Sequence, residues 1–315
     1  YSSIALRSGG LETLRKQFLE EVAQQANWLQ ILKELGATFE SLGLSGLVFK
    51  GASSIQRLYG GLGVRPLSDI DLLVLPAEFQ AVRSALQTLG FKPWMDFEHM
   101  LARDGWIVDI HTNPLGRLQL AFPFDLPAAW NRSVPCLCGI PHLRMFGLID
   151  ELIVCILHST KHSVCRLIWV LDFQLLLRQV PLEEALASIR ACRAQRCFYY
   201  LLWLSAKLLG RTQEPPIQEP FEVRLNYVER RFLEGVLARE APETLGLLVP
   251  IFSAKPLDFL HLLRAELYPK ESNFTTRTRT LKNLLATVLR FFTGSSIGPY
   301  PANPAGLAPK KRKRP

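Results

Sequence analysis

No run of about 18 consecutive apolar residues occurs in this chain of 315 residues, so the sequence predicts no membrane-spanning helix. The most apolar stretches, ELIVCILHS and DFQLLL, are short and carry charges, and they read as buried helices. The N-terminus, YSSIALRSGG, lacks a basic segment followed by an apolar one, so no secretory signal peptide is expected. An initiator Met is missing too, and the start reads as trimmed. Cysteine is scarce. Six in the whole chain do not make a disulfide scaffold. Cys136 and Cys138 stand too close to bridge easily, and no second pair follows at zinc-finger spacing. Buried thiols in a reducing, cytoplasmic setting are the expectation.

Excess positive charge is also scarce outside one place. The formal net charge is +9, but Lys310 to Arg314, KKRKR, supplies five of it and leaves +4 for the rest. A nucleic-acid partner therefore rests on the tail alone. What the chain does have is apolar bulk: 48% hydrophobic residues, enough for a sizeable core. Its length suits two domains or one large one.

Leu11, Leu14, Phe18, Val22, Trp28, Leu32, Leu35 and Phe39 recur at three- and four-residue steps, which predicts helix over 11–42, ended by Gly43. SGLVFK is a short strand. SSIQRLYGG is a helical turn or two closed by Gly60 and Gly61. DIDLLVL is a strand. PAEFQAVRSALQTLGF is an amphipathic helix with Pro76 near its start and Gly90 past its end. Two alternating runs in FEHMLARDGWIVDIH flank Asp104-Gly105, a hairpin signal. GIPHLRM adds a short strand. Helices are predicted near 148–161, 167–178, 182–192, 194–209, 221–239, 255–267 and 276–292. The last stretch, rich in Pro, Gly, Ala and Lys/Arg, is expected to be disordered. The division expected is a helical segment 1–45, an α/β core 46–145, a helical domain 146–293 and a basic tail 294–315.

One stretch is not ordinary. In LVFKGASSIQRLYGGLGVRPLSDIDLLVL, Asp69 and Asp71 open an apolar strand, where desolvating charge is costly. Residues i and i+2 of a strand share a face, so the two carboxylates project together while Ile70 turns to the core. Like charges this close raise one another's pKa unless a cation lies between them. A divalent metal is the simplest remedy, and hard carboxylates suit Mg²⁺ or Mn²⁺. In WIVDIH, Trp106, Val108 and Ile110 share one face, and Asp109 and His111 the other. If that strand neighbours DIDLLV, three aspartates converge. Three carboxylates can hold two ions about 3.5–4 Å apart, the arrangement of in-line phosphoryl displacement. A D-x-D alone is often only a solvated strand end or a helix cap.

The combination of a short Gly turn, a D-x-D strand and a third acidic strand resembles the DNA polymerase beta-like nucleotidyltransferase superfamily. More narrowly it resembles an uncharacterised bacterial nucleotidyltransferase family. The matching residues are Lys50-Gly51-Ala52, the run Arg65-Pro66-Leu67-Ser68-Asp69-Ile70-Asp71-Leu72-Leu73-Val74, and Asp109-Ile110-His111. A later block of His158, His162, Trp169 and Asp172 matches more loosely. The resemblance spans roughly residues 46–178. It implies an α+β fold: a small mixed β-sheet nucleotidyltransferase core with flanking helices, plus an all-helical C-terminal domain. It implies catalytic, metal-binding Asp69, Asp71 and Asp109. The turn here is Gly-Ala-Ser rather than Gly-Ser, so Ser53 or Ser54 would do the hydroxyl's work. Thr112 follows His111 where the family often has Trp.

Gly51 and Ala52 would let backbone N–H groups approach phosphates. Lys50 or Arg65 could pair with the triphosphate, and Arg65 offers a bidentate fork. Its ordinary alternative is a salt bridge with one of the same aspartates. His111 would orient Asp109, contact the acceptor, or serve structure alone. His158 and His162, one helical turn apart, read either as zinc ligands with Asp172, as cleft-lining groups, or as a packing cluster with Trp169. Lys161 among them could reach a phosphate. Tyr199, Tyr200 and Trp203 read as helix core or as a stacking platform.

The leading expectation is thus a metal-dependent enzyme that moves an NMP from an NTP to an acceptor hydroxyl and releases pyrophosphate. The acceptor could be a protein side chain, a sugar, a small molecule or an RNA end. The competing expectation is a non-catalytic nucleotide- or partner-binding module on the same fold. RNA binding through the tail is a third.

Overall fold

The computed structural model describes residues 8–95, 97–136, 139–209, 223–238 and 249. The helices predicted over 255–267 and 276–292, Cys138 and the basic tail lie outside them. Among the described residues, one compact unit takes those up to Gly116, Asp125–Cys155 and Asp172–Ala185, and a second takes Arg117–Phe124, Ile156–Leu171 and those from Leu186 onward. The fold is mixed α+β.

The first unit begins with α1 (Ser8–Leu42), which Gly43 stops with a left-handed φ of 65°. Strand β1 (Gly46–Phe49) runs into α2 (Gly51–Leu58), and β2 (Ile70–Leu73) follows a loop. Pro76 opens a short 3₁₀ turn before α3 (Phe79–Thr88). Then come β3 (Lys92–Trp94), β4 (Phe97–Arg103) and β5 (Trp106–His111). Asp104 and Gly105 both take positive φ, 52° and 84°, as a type I′ hairpin turn needs. After α4 (Leu126–Asn131), β6 (Val134–Pro135) and β7 (Leu143–Met145) complete a seven-stranded sheet of order β3-β4-β5-β2-β1-β7-β6. Helices α5 (Leu148–Lys161), α6 (Leu167–Leu177) and α7 (Leu182–Ala191) follow in the chain, each divided between the two units.

Trp28, Ile31, Leu32, Leu35 and Phe39 of α1 belong to the same buried core as Val48, Ile70, Leu72, Val108 and Ile110 of the sheet. The helix comes close to the segment before β7. A Cβ on Gly36 would stand 2.3 Å from Ile140 Cγ2 and 2.8 Å from the Pro141 carbonyl oxygen. Gly36→Ala gains about 1 kcal/mol of helix propensity. A backbone oxygen cannot move aside as a side chain can, so the variant is expected to lose about 1–3 kcal/mol net. Chemical denaturation checks this; an unchanged or higher midpoint would contradict the close approach.

Several elements differ from expectation, among them β6, which the sequence pattern does not show, and the helix expected over 221–239, which starts at Tyr227. The sequence pattern misses β3, because Lys92-Pro93-Trp94 is short, exposed and interrupted by a proline that an edge strand tolerates. It misses α4, although Asp125 caps it by accepting from Ala128 N and Pro127 sits in its first turn. And the strand expected over 139–145 shortens to Leu143–Met145, since Gly139 turns with φ 64°.

In the second unit, α8 (Gln195–Leu208) lies against α9 (Tyr227–Leu237), with the Tyr200 and Phe232 rings 6.0 Å apart and Phe198, Leu201, Leu204 and Leu233 buried. Glu229 closes the capping box with Asn226 and, fully buried, also takes Arg196 Nη1 and the Tyr200 hydroxyl, each at 2.5 Å. No described helix is long and apolar enough to cross a membrane.

Candidate active site

Strand pairing places the acidic residues. β2 runs parallel to β5 with Ile70 opposite Val108, Asp71 opposite Asp109 and Leu72 opposite Ile110. Because strand faces alternate, the two apolar pairs go to the core together and the two aspartates stand side by side on the other face. His111, two residues beyond Asp109, shares that face. Its Nε2 lies 2.8 Å from Asp71 Oδ1 and 3.1 Å from Asp109 Oδ2. Both neighbours are carboxylate oxygens, so Nε2 carries the proton and donates to them. Burial disfavours a charged imidazole here, but the hydrogen bonds to Asp109 and Asp71 outweigh it and raise the His111 pKa. The edge of the Phe49 ring holds the imidazole at 5.2 Å.

A cation does stand beside the Asp71 carboxylate in this structure, and it is Lys50. Its Nζ stands 2.6 Å from Asp71 Oδ1. Burial works against the Asp71 carboxylate, yet Lys50 and His111 hold its carboxyl well below the ordinary range. Burial likewise opposes the Lys50 ammonium, and Asp71, with Asp109 and Asp69 behind it, more than compensates. Asp69 sits just before β2, accepts 2.7 Å from Ser68 Oγ, and has its pKa raised, first by burial and then by Asp71.

The cluster suits a divalent ion. Asp71, Asp109 and His111 each offer one ligand atom, all within 4.8 Å of one another. Asp109 Oδ1 is buried and has no hydrogen-bond partner, a costly state for a carboxylate oxygen unless something binds it. His99 on β4, which no sequence motif marks, brings Nε2 to 3.9 Å from that same oxygen and is half exposed.

Behind the carboxylates lies the Lys50–Gly51 turn. Lys50 has φ 55°, ψ −129°, a backbone state that costs a non-glycine residue on the order of 1–3 kcal/mol. The turn delivers the N-terminus of α2, whose first amides lack intrahelical partners. Gly51, Ala52, Ser53 and Ser54 are all buried. Ser53 Oγ contacts the Lys50 carbonyl at 2.9 Å and also Glu151 of α5. Glu151, whose carboxyl burial pushes up to about 7 despite Arg57 and Ser53, also takes Arg57 Nη1 at 2.5 Å. Neither Glu151 nor Arg57 stands out in the sequence, since an acid in a first helical turn is ordinary.

Arg65 does not pair with either strand aspartate. Its fork meets Asp172, Nε at 3.0 and 3.2 Å and Nη2 at 2.6 Å. Both Asp172 oxygens thus accept from Arg65. His158, His162 and Trp169 form their own ring cluster in the second unit, with centroids 4.8, 5.0 and 5.7 Å apart. Lys161 in the last turn of α5 is exposed. Tyr200 is buried core, and Trp203 takes Lys207 over its ring.

A mixed sheet that sets a Gly turn beside two in-register aspartates has the build of a nucleotidyltransferase core. The chain belongs to the uncharacterised nucleotidyltransferase family, whose model matches residues 8–210. No curated protein matches it. Among solved structures, a crystal structure of ANT(2")-Ia in complex with adenylyl-2"-tobramycin aligns at 14% identity and a TM-score of 0.41, covering 54% of this chain and 99% of that one. A solution structure of the antibiotic-resistance factor ANT(2'')-Ia aligns at 13% identity and 0.42, covering 55% and 95%. Both likenesses are low, and nothing about an acceptor follows from them.

Proposed function

We propose that the protein transfers a nucleoside monophosphate from an NTP to an acceptor hydroxyl. The acceptor oxygen bonds to the α-phosphorus, the bond to the α–β bridging oxygen breaks, pyrophosphate leaves and the hydroxyl proton passes to solvent. The observation that carries this reading is the register of Asp71 against Asp109, with one Asp109 oxygen buried and unpaired. Asp71 and Asp109 would hold a divalent ion, Mg²⁺ or Mn²⁺, with His111 and Asp69 beside them. Such an ion, when bound, lowers the pKa of an attacking hydroxyl and neutralises charge on the phosphates.

The chain's own groups divide the remaining work. The first-turn amides of α2, beginning at the Lys50–Gly51 turn, would face phosphate oxygens, helped by the positive end of the helix dipole. Lys50 would pair with the triphosphate. His111 would keep Asp71 and Asp109 in fixed rotamers by bridging them. The helical domain would select the acceptor, be it a protein side chain, a sugar, a small molecule or an RNA end.

Nucleotide binding should depend on divalent metal, because the clustered carboxylates otherwise repel a triphosphate. Calorimetry with ATP, GTP, CTP and UTP, each with Mg²⁺ and with EDTA, tests this. Affinity that is equal in EDTA would sink the proposal. Tight metal-dependent binding without pyrophosphate release, over a panel of acceptors, would favour the binding module.

A further inference from the structure

We infer that Arg65 and Asp172 are a positioning pair that holds the Lys50–Gly51 turn and the D-x-D strand in register with each other. Arg65 supports the phosphate turn from behind and does not itself contact nucleotide. The functional meaning rests on the nucleotidyl-transfer reading; the geometry does not.

The guanidinium lies directly behind Gly51. A Cβ built on Gly51 would come 2.7 Å from Arg65 Nη1 and 2.6 Å from Leu67 Cδ1. Only a residue without a side chain lets the turn rest on that surface. The guanidinium is itself fixed. Nε and Nη2 are spent on Asp172, Nη1 donates to the Pro66 carbonyl at 3.0 Å, and the two side chains of the pair are 6% and 5% exposed. Tyr59 Oη, just past α2, donates to Asp172 Oδ1 at 2.8 Å. One carboxylate on α6 thus ties the end of α2 to the loop that leads into β2.

The same loop is held from its other side by α1. Gln25 Nε2 donates to the Arg65 carbonyl and its Oε1 accepts from Gly63 N, both at 2.7 Å. Glu21 Oε1 accepts from Leu67 N at 3.2 Å. Three residues separate Arg65 from Asp69, so little slack remains between this anchorage and the carboxylates. A buried ion pair contributes little net stability, and its best-attested use is to specify one arrangement. For Arg65 to reach a phosphate it would have to abandon Asp172 and leave a buried carboxylate without its cation.

Two variants test the pair in the full-length chain. Arg65→Lys keeps the charge but loses the planar fork. Arg65→Met with Asp172→Leu and Tyr59→Phe replaces the polar cluster by apolar groups of similar size, which preserves folding where a single deletion would not. Both should melt near the parent temperature, exchange the amides of residues 50–54 and 67–69 faster in the nucleotide-free state, and bind Mg²⁺-ATP at least about tenfold more weakly, since small misplacements of positioning groups are costly. Unchanged amide exchange in both variants overturns the inference, whatever the affinity does. Affinity lost with exchange unchanged would make Arg65 a direct phosphate ligand. A parent that binds no NTP would instead defeat the nucleotidyl-transfer reading, and the exchange rates would still decide the brace.

Discussion

Asp71→Asn is expected to abolish both metal-dependent nucleotide binding and transfer, while Asp109→Asn keeps much of the binding and loses transfer by several powers of ten. The two aspartates are register partners, yet they are not equivalent. Asp71 lies beside the Lys50–Gly51 turn: Phe49, the residue before Lys50, is its partner across β1 and β2. It is also more deeply buried, with Lys50 and His111 both on its Oδ1. Asp109 arrives on the hairpin strand, shares only His111 among these contacts, and keeps one oxygen unpaired. On the proposed reaction, the phosphate side of the site would therefore fall to Asp71 and the acceptor side to Asp109.

Asparagine preserves the size of either side chain and removes its charge. Each tenfold loss in rate corresponds to about 1.4 kcal/mol of lost transition-state stabilisation. Removing one preorganised electrostatic group typically costs about 2.7–4 kcal/mol. NTP binding by calorimetry beside pyrophosphate release separates the two variants. If Asp109→Asn turns over like the parent, Asp109 takes no part in the reaction. Asp71→Asn also leaves Lys50 and His111 facing a neutral partner, so its thermal midpoint must be measured alongside, to separate misfolding from lost chemistry.

Much of this geometry was legible before any coordinates. The i, i+2 alternation of Ile70-Asp71-Leu72 and of Asp109-Ile110-His111 sets which side chains share a face, and Asp104-Gly105 sets the turn that returns β4 to β5, whereas Asp69 stands just before the strand. The pairing of β2 with β5 was a conditional expectation, since nothing local specifies which strands neighbour. Arg65 shows the limit more sharply. Four residues before Asp69, it read as a phosphate or strand-aspartate partner, whereas its carboxylate comes from 107 residues further along the chain. Glu151 was silent for the same reason. A charged residue in the first turn of a helix looks solvated until the fold lays α2 against it. Local pattern reports faces and turns, but it does not report which distant charge a buried one has found.

The cation on Asp71 leads to the second large effect, and here the two ligands should respond with opposite sign. Lys50 Nζ stands 2.6 Å from Oδ1 of Asp71, a carboxylate that the candidate metal site also uses. In the free protein the ammonium therefore competes with a divalent ion for that carboxylate's charge. Lys50→Met keeps the apolar stem against Phe49, over whose ring Nζ lies at 5.0 Å, and removes only the competing charge. A unit charge about 4 Å away is worth about 4 kcal/mol at an effective dielectric of 20, so even partial release of that repulsion should strengthen Mn²⁺ binding at least about tenfold in the absence of nucleotide. The same substitution removes the cation proposed to meet the triphosphate, so Mg²⁺-NTP affinity should fall by a similar factor. Mn²⁺ titration followed by electron paramagnetic resonance, set beside NTP calorimetry on the same variant, reads both. A variant that binds Mn²⁺ more weakly than the parent would mean that Lys50 holds Asp71 in place for the ion. A variant that binds NTP unchanged would remove Lys50 from the phosphate site. The opposed result would instead explain why the turn tolerates a lysine in a left-handed conformation: the chain keeps its carboxylates neutralised until the metal arrives with the nucleotide, and Lys50 then turns from Asp71 to the phosphates.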